Sequence, residues 1–575
     1  MSIKKWYKSK DKFLFWTVAI GLVLRVLFFI SNLIIGGVHI DESMLFANAL
    51  SVAKNGTDLL GNKMPAYFAT WLIGGQSPLG TYLSAFAAKI LGNSLFALRL
   101  PALIIGCAGV VCSAKLGNLL FCKKEYKYAF AGLAAVSPWM IFSSCFVLDC
   151  NYMGYNLIFG ILMLLKGQKQ NKNIYYVLSM FFFSLCFYSY IASVLVVPIF
   201  LAVTYLLLLT KKKIKIGNCA VSVMSLLVFS IPFIIFGLVL VGKIEPFTTK
   251  IISFPDMKFY SRDNSIALNS GGALAVIKTL FKNFCGAISI IGLPDSTVIA
   301  NGANLFQYGN LGAGLISIFG IIDILLTKMH KKKIGDSITT KSVAVASGVA
   351  IAVFCAMTNT PSLSYAYRYG VLTPLLLIFE AIGLVRLIEK IKSADIKKLK
   401  LILTGYLTAS LIIFGAEFFI LYNAGTSWAS DSTYGDSLKI CLDESDDISP
   451  NDTTILCSPN CDRRTVVYLY YYRHDKNLNS FYDSMLNAYT KSDKLEKGYY
   501  INKPLKEEIG VYTGLHPENA MSNEIKVSDT ITISNSDTVV LTKKCYIVQH
   551  SKINLYYHKG YKTKENGFFD ILIKE

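Results

Sequence analysis

Asp41 and Glu42 follow one another just after the first long apolar run, in the stretch His39-Ile40-Asp41-Glu42. Carboxylates resist desolvation, so a pair of them at a bilayer edge is either solvated or used. The chemistry open to such a pair is proton abstraction from a hydroxyl, or ligation of a hard cation. The plain alternative is a helix start, with Asp41 capping and Glu42 near the positive helix end. His39 is more simply a local hydrogen-bonding residue than a ligand. A second acidic turn, Leu148-Asp149-Cys150-Asn151-Tyr152, and a late cation in Tyr367-Arg368-Tyr369 are further candidates.

Composition decides what must position them. The 575 residues are 53% hydrophobic and only 16% charged, well under the roughly 25% charged of soluble proteins. Apolar runs of about twenty residues recur along the chain, the pattern of a polytopic α-helical membrane protein. The formal charge of +20 invites a nucleic-acid reading, but the lysines sit in short clusters between apolar runs, as the positive-inside rule requires. No nucleic-acid motif accompanies them. The basic N-terminus and its long apolar run, without a small-residue cleavage site, predict a retained first helix.

Counting lysine clusters onto one side predicts about eleven transmembrane helices with a cytoplasmic N-terminus. The first, about residues 13–35, carries Arg25, whose insertion costs about 2.5–3.5 kcal/mol and which must therefore face the bundle interior or snorkel. Structural pairing is the plain reading, contact with a lipid phosphate the sharper one. Residues 36–99 and 242–310 form long outer loops with interfacial helices at 42–54, 78–92 and around 274–288. A third span at 128–147 delivers Asp149 to the outer surface, and a short fourth at 152–165 returns. The turn Tyr188-Ser189-Tyr190 tips a hairpin of spans, its tyrosines belonging to the aromatic belt. Glu380 and Glu417 lie within the last two spans as interior polar pairs, with Arg25 a candidate partner. Residues 1–423 thus make a membrane domain, and 424–575 a small extracytoplasmic α/β domain with strands at 453–457, 538–541 and 545–548 and a helix at 480–490. Most of the thirteen cysteines are scattered through apolar segments. Cys441, Cys457, Cys461 and Cys545 lie in the polar part, where an oxidising compartment permits three pairings.

The order His39-Ile40-Asp41-Glu42, Gln76-Ser77-Pro78-Leu79, Leu91-Gly92-Asn93-Ser94, Leu98-Arg99-Leu100-Pro101, Ser137-Pro138 and Leu148-Asp149 resembles the protein O-mannosyltransferase and aminoarabinose-transferase group. These are polyprenyl-phosphate-sugar-dependent glycosyltransferases of the C-type (GT-C) fold. The motifs span roughly residues 10–210, and beyond them the likeness is one of topology. The resemblance implies a multi-span bundle that moves a sugar from a polyprenyl-phosphate donor to an acceptor on the extracytoplasmic side of the cell membrane. It implies Asp41 as general base of an inverting transfer, with Glu42 placing the acceptor or a metal and Asp149 shaping the same cleft. The family's Lys-Pro-Pro-Leu stretch is Gln76-Ser77-Pro78-Leu79 here, without the lysine that meets lipid phosphate; Gln76 and Arg368 are the candidate donor-phosphate contacts. A divalent metal held by Asp41 and Asp149 is left open. The acceptor, whether an exported protein, a glycopolymer or a lipid, is not specified by the residues, nor is the sugar. The competing class is a transporter or flippase of lipid-linked saccharide or cell-envelope polymer, which places its charges at mid-membrane.

Overall fold

The computed structural model describes residues 11–35, 38, 40–58, 61–70, 74–255, 272–292, 309–326, 337–357, 370–391 and 396–423. In the C-terminal part it describes 440–441, 444–445, 447–448, 454–457, 511–513, 530–533, 537–540, 544–549, 561–565 and 569–575. His39, Arg368, Cys461, the expected helix at 480–490 and the side chains of Glu417 and Cys457 lie outside the described residues. The chain forms two compact units, Met1–Ile35 with Ala66–Ser427, and Gly36–Pro65 with Trp428–Glu575.

The first unit is a helical bundle. Helix α1 (Lys12–Ile35) is followed, past residues of the second unit, by a small hairpin of β1 (Phe68–Thr70) and β2 (Gly74–Gln76). Then come α3 (Pro78–Leu91), α4 (Leu95–Leu120), α5 (Lys124–Val136), α6 (Pro138–Phe142), α7 (Asn151–Gln170), α8 (Asn173–Phe187), α9 (Ser193–Thr210) and α10 (Ile216–Leu240). A second hairpin, β3 (Phe247–Thr248) and β4 (Ser253–Phe254), precedes α11 (Ala273–Gly292), α12 (Ala313–Leu326), α13 (Ser337–Met357), α14 (Thr373–Ile391) and α15 (Ile396–Asn423). Among the described residues, α1, α4, α9, α10, α13 and α15 are long and apolar enough to cross a membrane, and α8 and α12 are shorter apolar helices. This is a multi-pass membrane bundle.

Local chemistry explains the α3–α4 corner. Gly92 takes φ +86 to end α3, a conformation only glycine adopts without strain. Ser94 then caps α4, its side chain accepting from Ala97 N at 3.1 Å, and Ser84 Oγ ties the two helices by donating to Leu98 O at 2.7 Å. At fourteen residues α3 is about 21 Å long, too short for a hydrocarbon core of about 30 Å, as expected for residues 78–92. Helix α11 likewise fits a surface position. Its Leu274, Ile277 and Phe281 are exposed, and its Asn283 donates to Ala356 O near the very end of α13.

The lysine-bearing helix ends gather at one end of this unit. There Lys123 lies 3.9 Å from Glu389, Lys400 stands over the rings of Tyr128 and Phe13, and Gln168 bonds Thr339. Near that end α12 and α14 carry a second ionic link, Arg386 Nε to Asp323 Oδ2 at 3.0 Å.

Three expectations change. The third span is not one helix: Ser137 (φ −54, ψ 122) breaks it before Pro138, leaving α5 and the short α6, because proline supplies no N–H to the preceding turn. The fourth is not short, since α7 has twenty residues. Among the described residues no acid pairs with Arg25; it donates to Gly21 O, Ala135 O and Ala134 O at 2.9, 2.9 and 3.0 Å. Glu380 instead meets Asn310 Nδ2 at 3.3 Å and Tyr406 Oη at 3.5 Å, with Tyr406 also donating to Leu311 O.

In the second unit, α2 (Ile40–Asn55) has Asp41 and Glu42 in its first turn and Lys54 in its last, the arrangement a helix dipole favours. It was expected as an amphipathic surface helix, but every residue from Glu42 to Ala49 is buried. The Asp58 carboxylate closes the following loop, accepting from Asn62 N at 2.7 Å and Asn62 Nδ2 at 3.0 Å. A mixed sheet runs in the order β10-β11-β9-β5-β6, made of β5 (Thr454–Cys457), β6 (Val511–Thr513), β9 (Cys545–Gln549), β10 (Tyr561–Glu565) and β11 (Phe569–Lys574); β7 (Thr530–Ile533) and β8 (Asp537–Val540) form a separate hairpin. Strand β5 pairs in parallel with both β6 and β9. The three expected strands are present within a residue of their expected starts. Cys441 and Cys545 are buried.

Helices α12 and α14 touch backbone to backbone through two glycines. A Cβ on Gly320 would lie 2.0 Å from Phe379 O, and one on Gly383 would lie 1.9 Å from Ile316 O. Gly320→Ala or Gly383→Ala should therefore destabilise the bundle by about 1–3 kcal/mol, lowering its thermal unfolding temperature in detergent. Gly405→Ala, where an added Cβ meets nothing within 4 Å, should leave that temperature unchanged or raise it.

Candidate functional site

The region around Asp149 is built by a break and a turn. Helix α5 stops at Val136, Ser137 Oγ accepts from Met140 N to start α6, and after Phe142 the chain turns through 143–150 into α7. From Tyr128 to Leu162 every residue is buried except Asp149. A lone accessible carboxylate in such a run is held at a surface by everything around it. Its Oδ1 accepts from Cys150 N at 2.7 Å, and it lies two residues before Asn151, where α7 starts. The residue flanking the helix is Cys150, and no side chain caps the helix there.

Beneath Asp149 the turn is locked by polar contacts and by glycines. Tyr155 Oη donates to Met140 O and pairs with Ser143 Oγ, both at 2.8 Å; Asn151 Nδ2 donates to Phe146 O at 3.2 Å. Trp139 fills the space between α7 and the start of α14. A Cβ on Gly154 would fall 2.3 Å from its ring, and one on Gly370 would fall 2.1 Å from it. Gly370 stands two residues after Arg368.

Gln76, the other candidate in this unit, is buried at the end of β2. The next residue, Ser77, bonds Tyr67 Oη at 2.7 Å, and Tyr67 stacks on Phe236 with ring centroids 4.6 Å apart. One turn joins this corner to the Asp149 helix. Leu79 N donates to Tyr188 O at 2.9 Å, and Asn156 of α7 donates to Ser189 Oγ at 3.1 Å. The start of α3, with Gln76 before it, and the start of α7, with Asp149 before it, are therefore held on the same α8–α9 turn. This is the end of the bundle away from the lysine cluster.

Tyr188 was expected as a belt residue and has a more specific place. Its hydroxyl donates to Phe229 O at 2.9 Å and accepts from Phe233 N at 3.3 Å, inserting into α10 beside Pro232. A proline in an apolar run signals such a gap; which side chain fills it is not written in the local sequence. Arg99, quoted only as part of a motif, is also buried, and donates to Asn32 Oδ1 at 2.8 Å.

Asp41 and Glu42 belong to the second unit. Asp41 is half-buried and Glu42 fully buried in the first turn of α2. For a metal, a hard divalent cation needs six or more oxygen ligands. Among the described residues no three His, Cys, Asp or Glu side chains gather in a way that could hold one.

Comparison with known proteins bears on this geometry. Residues 75–236, which hold Gln76, Asp149 and the α8–α9 turn, match the family described as dolichyl-phosphate-mannose-protein mannosyltransferase. The structure is similar to that of ArnT from Cupriavidus metallidurans bound to undecaprenyl phosphate, with 12% sequence identity, 98% of each chain covered and a TM-score of 0.53. It is also similar to the oligosaccharyltransferase of Archaeoglobus fulgidus in the apo form, at 15% identity and a TM-score of 0.49 over 81% of this chain. The chain spans 64% of the length of that archaeal protein. No curated protein matches the sequence. The fold is that of the GT-C glycosyltransferases. Within that class, the segment carrying the candidate site resembles the protein mannosyltransferases.

Replacing Tyr188 by Phe should leave the Phe229 carbonyl and Phe233 N–H unbridged at a proline, at a cost of about 1–3 kcal/mol. A lowered thermal unfolding temperature of the purified protein, without loss of helix content, is the expected measurement.

Proposed function

We propose that this protein is an integral membrane glycosyltransferase that moves a sugar from a polyprenyl-phosphate donor to an acceptor hydroxyl on the extracytoplasmic side. The observation that carries the reading is Asp149: the single half-buried residue in an otherwise buried run, inside the segment matching the mannosyltransferase family. A solved structure of similar fold is bound to undecaprenyl phosphate, which supports a lipid-phosphate donor here. The gathering of lysines at the opposite end of the bundle supports an extracytoplasmic site, because cytoplasmic loops carry the excess of Lys and Arg.

In this reading Asp41 takes the proton of the acceptor hydroxyl. The oxygen attacks the anomeric carbon as the bond from that carbon to the donor phosphate oxygen breaks, inverting the configuration and releasing polyprenyl phosphate. Glu42 orients the acceptor and Asp149 lines the cleft. Arg368 and Gln76 stabilise charge on the departing phosphate.

The test is transfer by membranes containing the protein, offered a panel of polyprenyl-phosphate sugars, with released polyprenyl phosphate read by mass spectrometry. Asp41→Asn should lower the rate by about 10²-fold or more, the usual contribution of a general base. Asp149→Asn should cost on the order of 10- to 100-fold through misplaced substrate. Full activity of Asp41→Asn would remove the general-base assignment. If wild-type membranes consume none of these donors, the transferase reading fails.

A further inference from the structure

Arg25 is fully buried within a membrane-crossing helix, and the reaction proposed above gives it no task. Two of its guanidinium nitrogens donate to backbone: Nη1 to Gly21 O and Ala135 O at 2.9 Å, and Nη2 to Ala134 O at 3.0 Å. Ala134 and Ala135 belong to the last turn of α5, which ends at Val136. A helix end leaves its final carbonyls without intrahelical partners, and Pro138, four residues after Ala134, has no N–H to offer. In hydrocarbon there is no water to take their place.

A planar fork of donors meets two adjacent carbonyls in a way a single ammonium cannot, and a cation suits the negative end of a helix. The approach is made feasible by Gly21, one turn before Arg25. A Cβ there would lie 3.0 Å from Ala135 Cβ and 3.3 Å from Ala135 Cα, so a larger residue would push against α5 at this close approach. Beyond the break, the chain reaches the Asp149 turn through five residues of α6. The direction in which α6 leaves α5 thus sets where the turn lies.

We propose that Arg25 is a positioning residue: by capping the broken end of α5 it holds α6 and the 143–150 turn so that Asp149 alone is presented at the surface. The inference rests on the proposed function for its consequence in transfer. Its geometric content can be tested without any transfer assay.

Two buried thiols of the same turn, Cys145 and Cys150, serve as native probes. Cys122 is an exposed reference, and Cys186 and Cys355 are buried references elsewhere in the bundle. The full chain in detergent is treated with a water-soluble maleimide, and labelling at each cysteine is read by peptide mass spectrometry. In the wild type Cys122 should label while Cys145 and Cys150 resist. In Arg25→Leu, labelling of Cys145 and Cys150 should rise about tenfold through local opening, with Cys186 and Cys355 still protected. Arg25→Lys, with the charge but not the fork, should fall between. Unchanged protection of Cys145 and Cys150 in either variant overturns the proposal, as does a parallel rise at all four buried thiols, which marks general loosening. If Arg25→Leu does not accumulate, Arg25→Lys decides. In a working transfer assay the same variants should lower kcat and leave the donor KM unchanged, with partial recovery in Arg25→Lys. Absence of transfer by the wild type defeats the enzymatic reading and leaves the labelling result to judge Arg25.

Discussion

The rule that a bilayer offers no hydrogen-bond partners governs this bundle more than any single contact. An unbroken helix obeys it for free, but α5 is broken in the interior by Ser137 and Pro138. Its loose carbonyls are met by Arg25, reaching across from α1. The same problem recurs at Pro232 in α10, where the Tyr188 hydroxyl enters the gap. At both prolines polar side chains from another helix or turn are spent on backbone. Their positions follow from where proline interrupts a helix.

Both interruptions lie close to the candidate site, and each serves it. The α5–α6 break leads into the turn that carries Asp149. The Tyr188 turn holds the start of α3, with Gln76 before it, and, through Ser189 and Asn156, the start of α7. Continuous helices would cross the membrane more cheaply but would bring no turn to this end of the bundle. Trp139, clasped by Gly154 and Gly370, keeps the start of α14 against the same corner. The chain thus accepts a broken helix where a carboxylate reaches the end of the bundle.

Several features were legible in the sequence because they depend on local chemistry. The apolar runs, the α8–α9 hairpin, the stop and start at Gly92 and Ser94 and the strands near residues 454, 537 and 545 each follow from a few neighbouring residues. Asp149 was recognisable as an acidic turn between apolar runs. Two expectations changed for one reason. Arg25 was a candidate partner for Glu380 and Glu417, of which Glu380 meets Asn310 and Tyr406 instead, and residues 42–54 were expected as an interfacial helix because their apolar positions recur at helical spacing. Both judgments used the residues' own character and not their neighbours. Carbonyls of α5 turned out to be nearer to Arg25 than any acid described, and α2 is enclosed around its whole circumference from Glu42 to Ala49.

By itself the sequence determined that the chain is a polytopic helical membrane protein, and it singled out a few residues as candidates for chemistry. Hydropathy, capping residues and lysine clusters are local quantities, and they suffice for that. Only the tertiary structure decided that Asp149 is the one accessible residue from Tyr128 to Leu162, that Arg25 caps a broken helix, and that Gln76 and Asp149 precede helices held on one turn. Each of these depends on residues far apart in the chain, as Arg25 is from Ala135 or Leu79 from Tyr188. Packing and hydrogen-bond satisfaction in a medium without water bring such residues together, and no local pattern encodes the pairing.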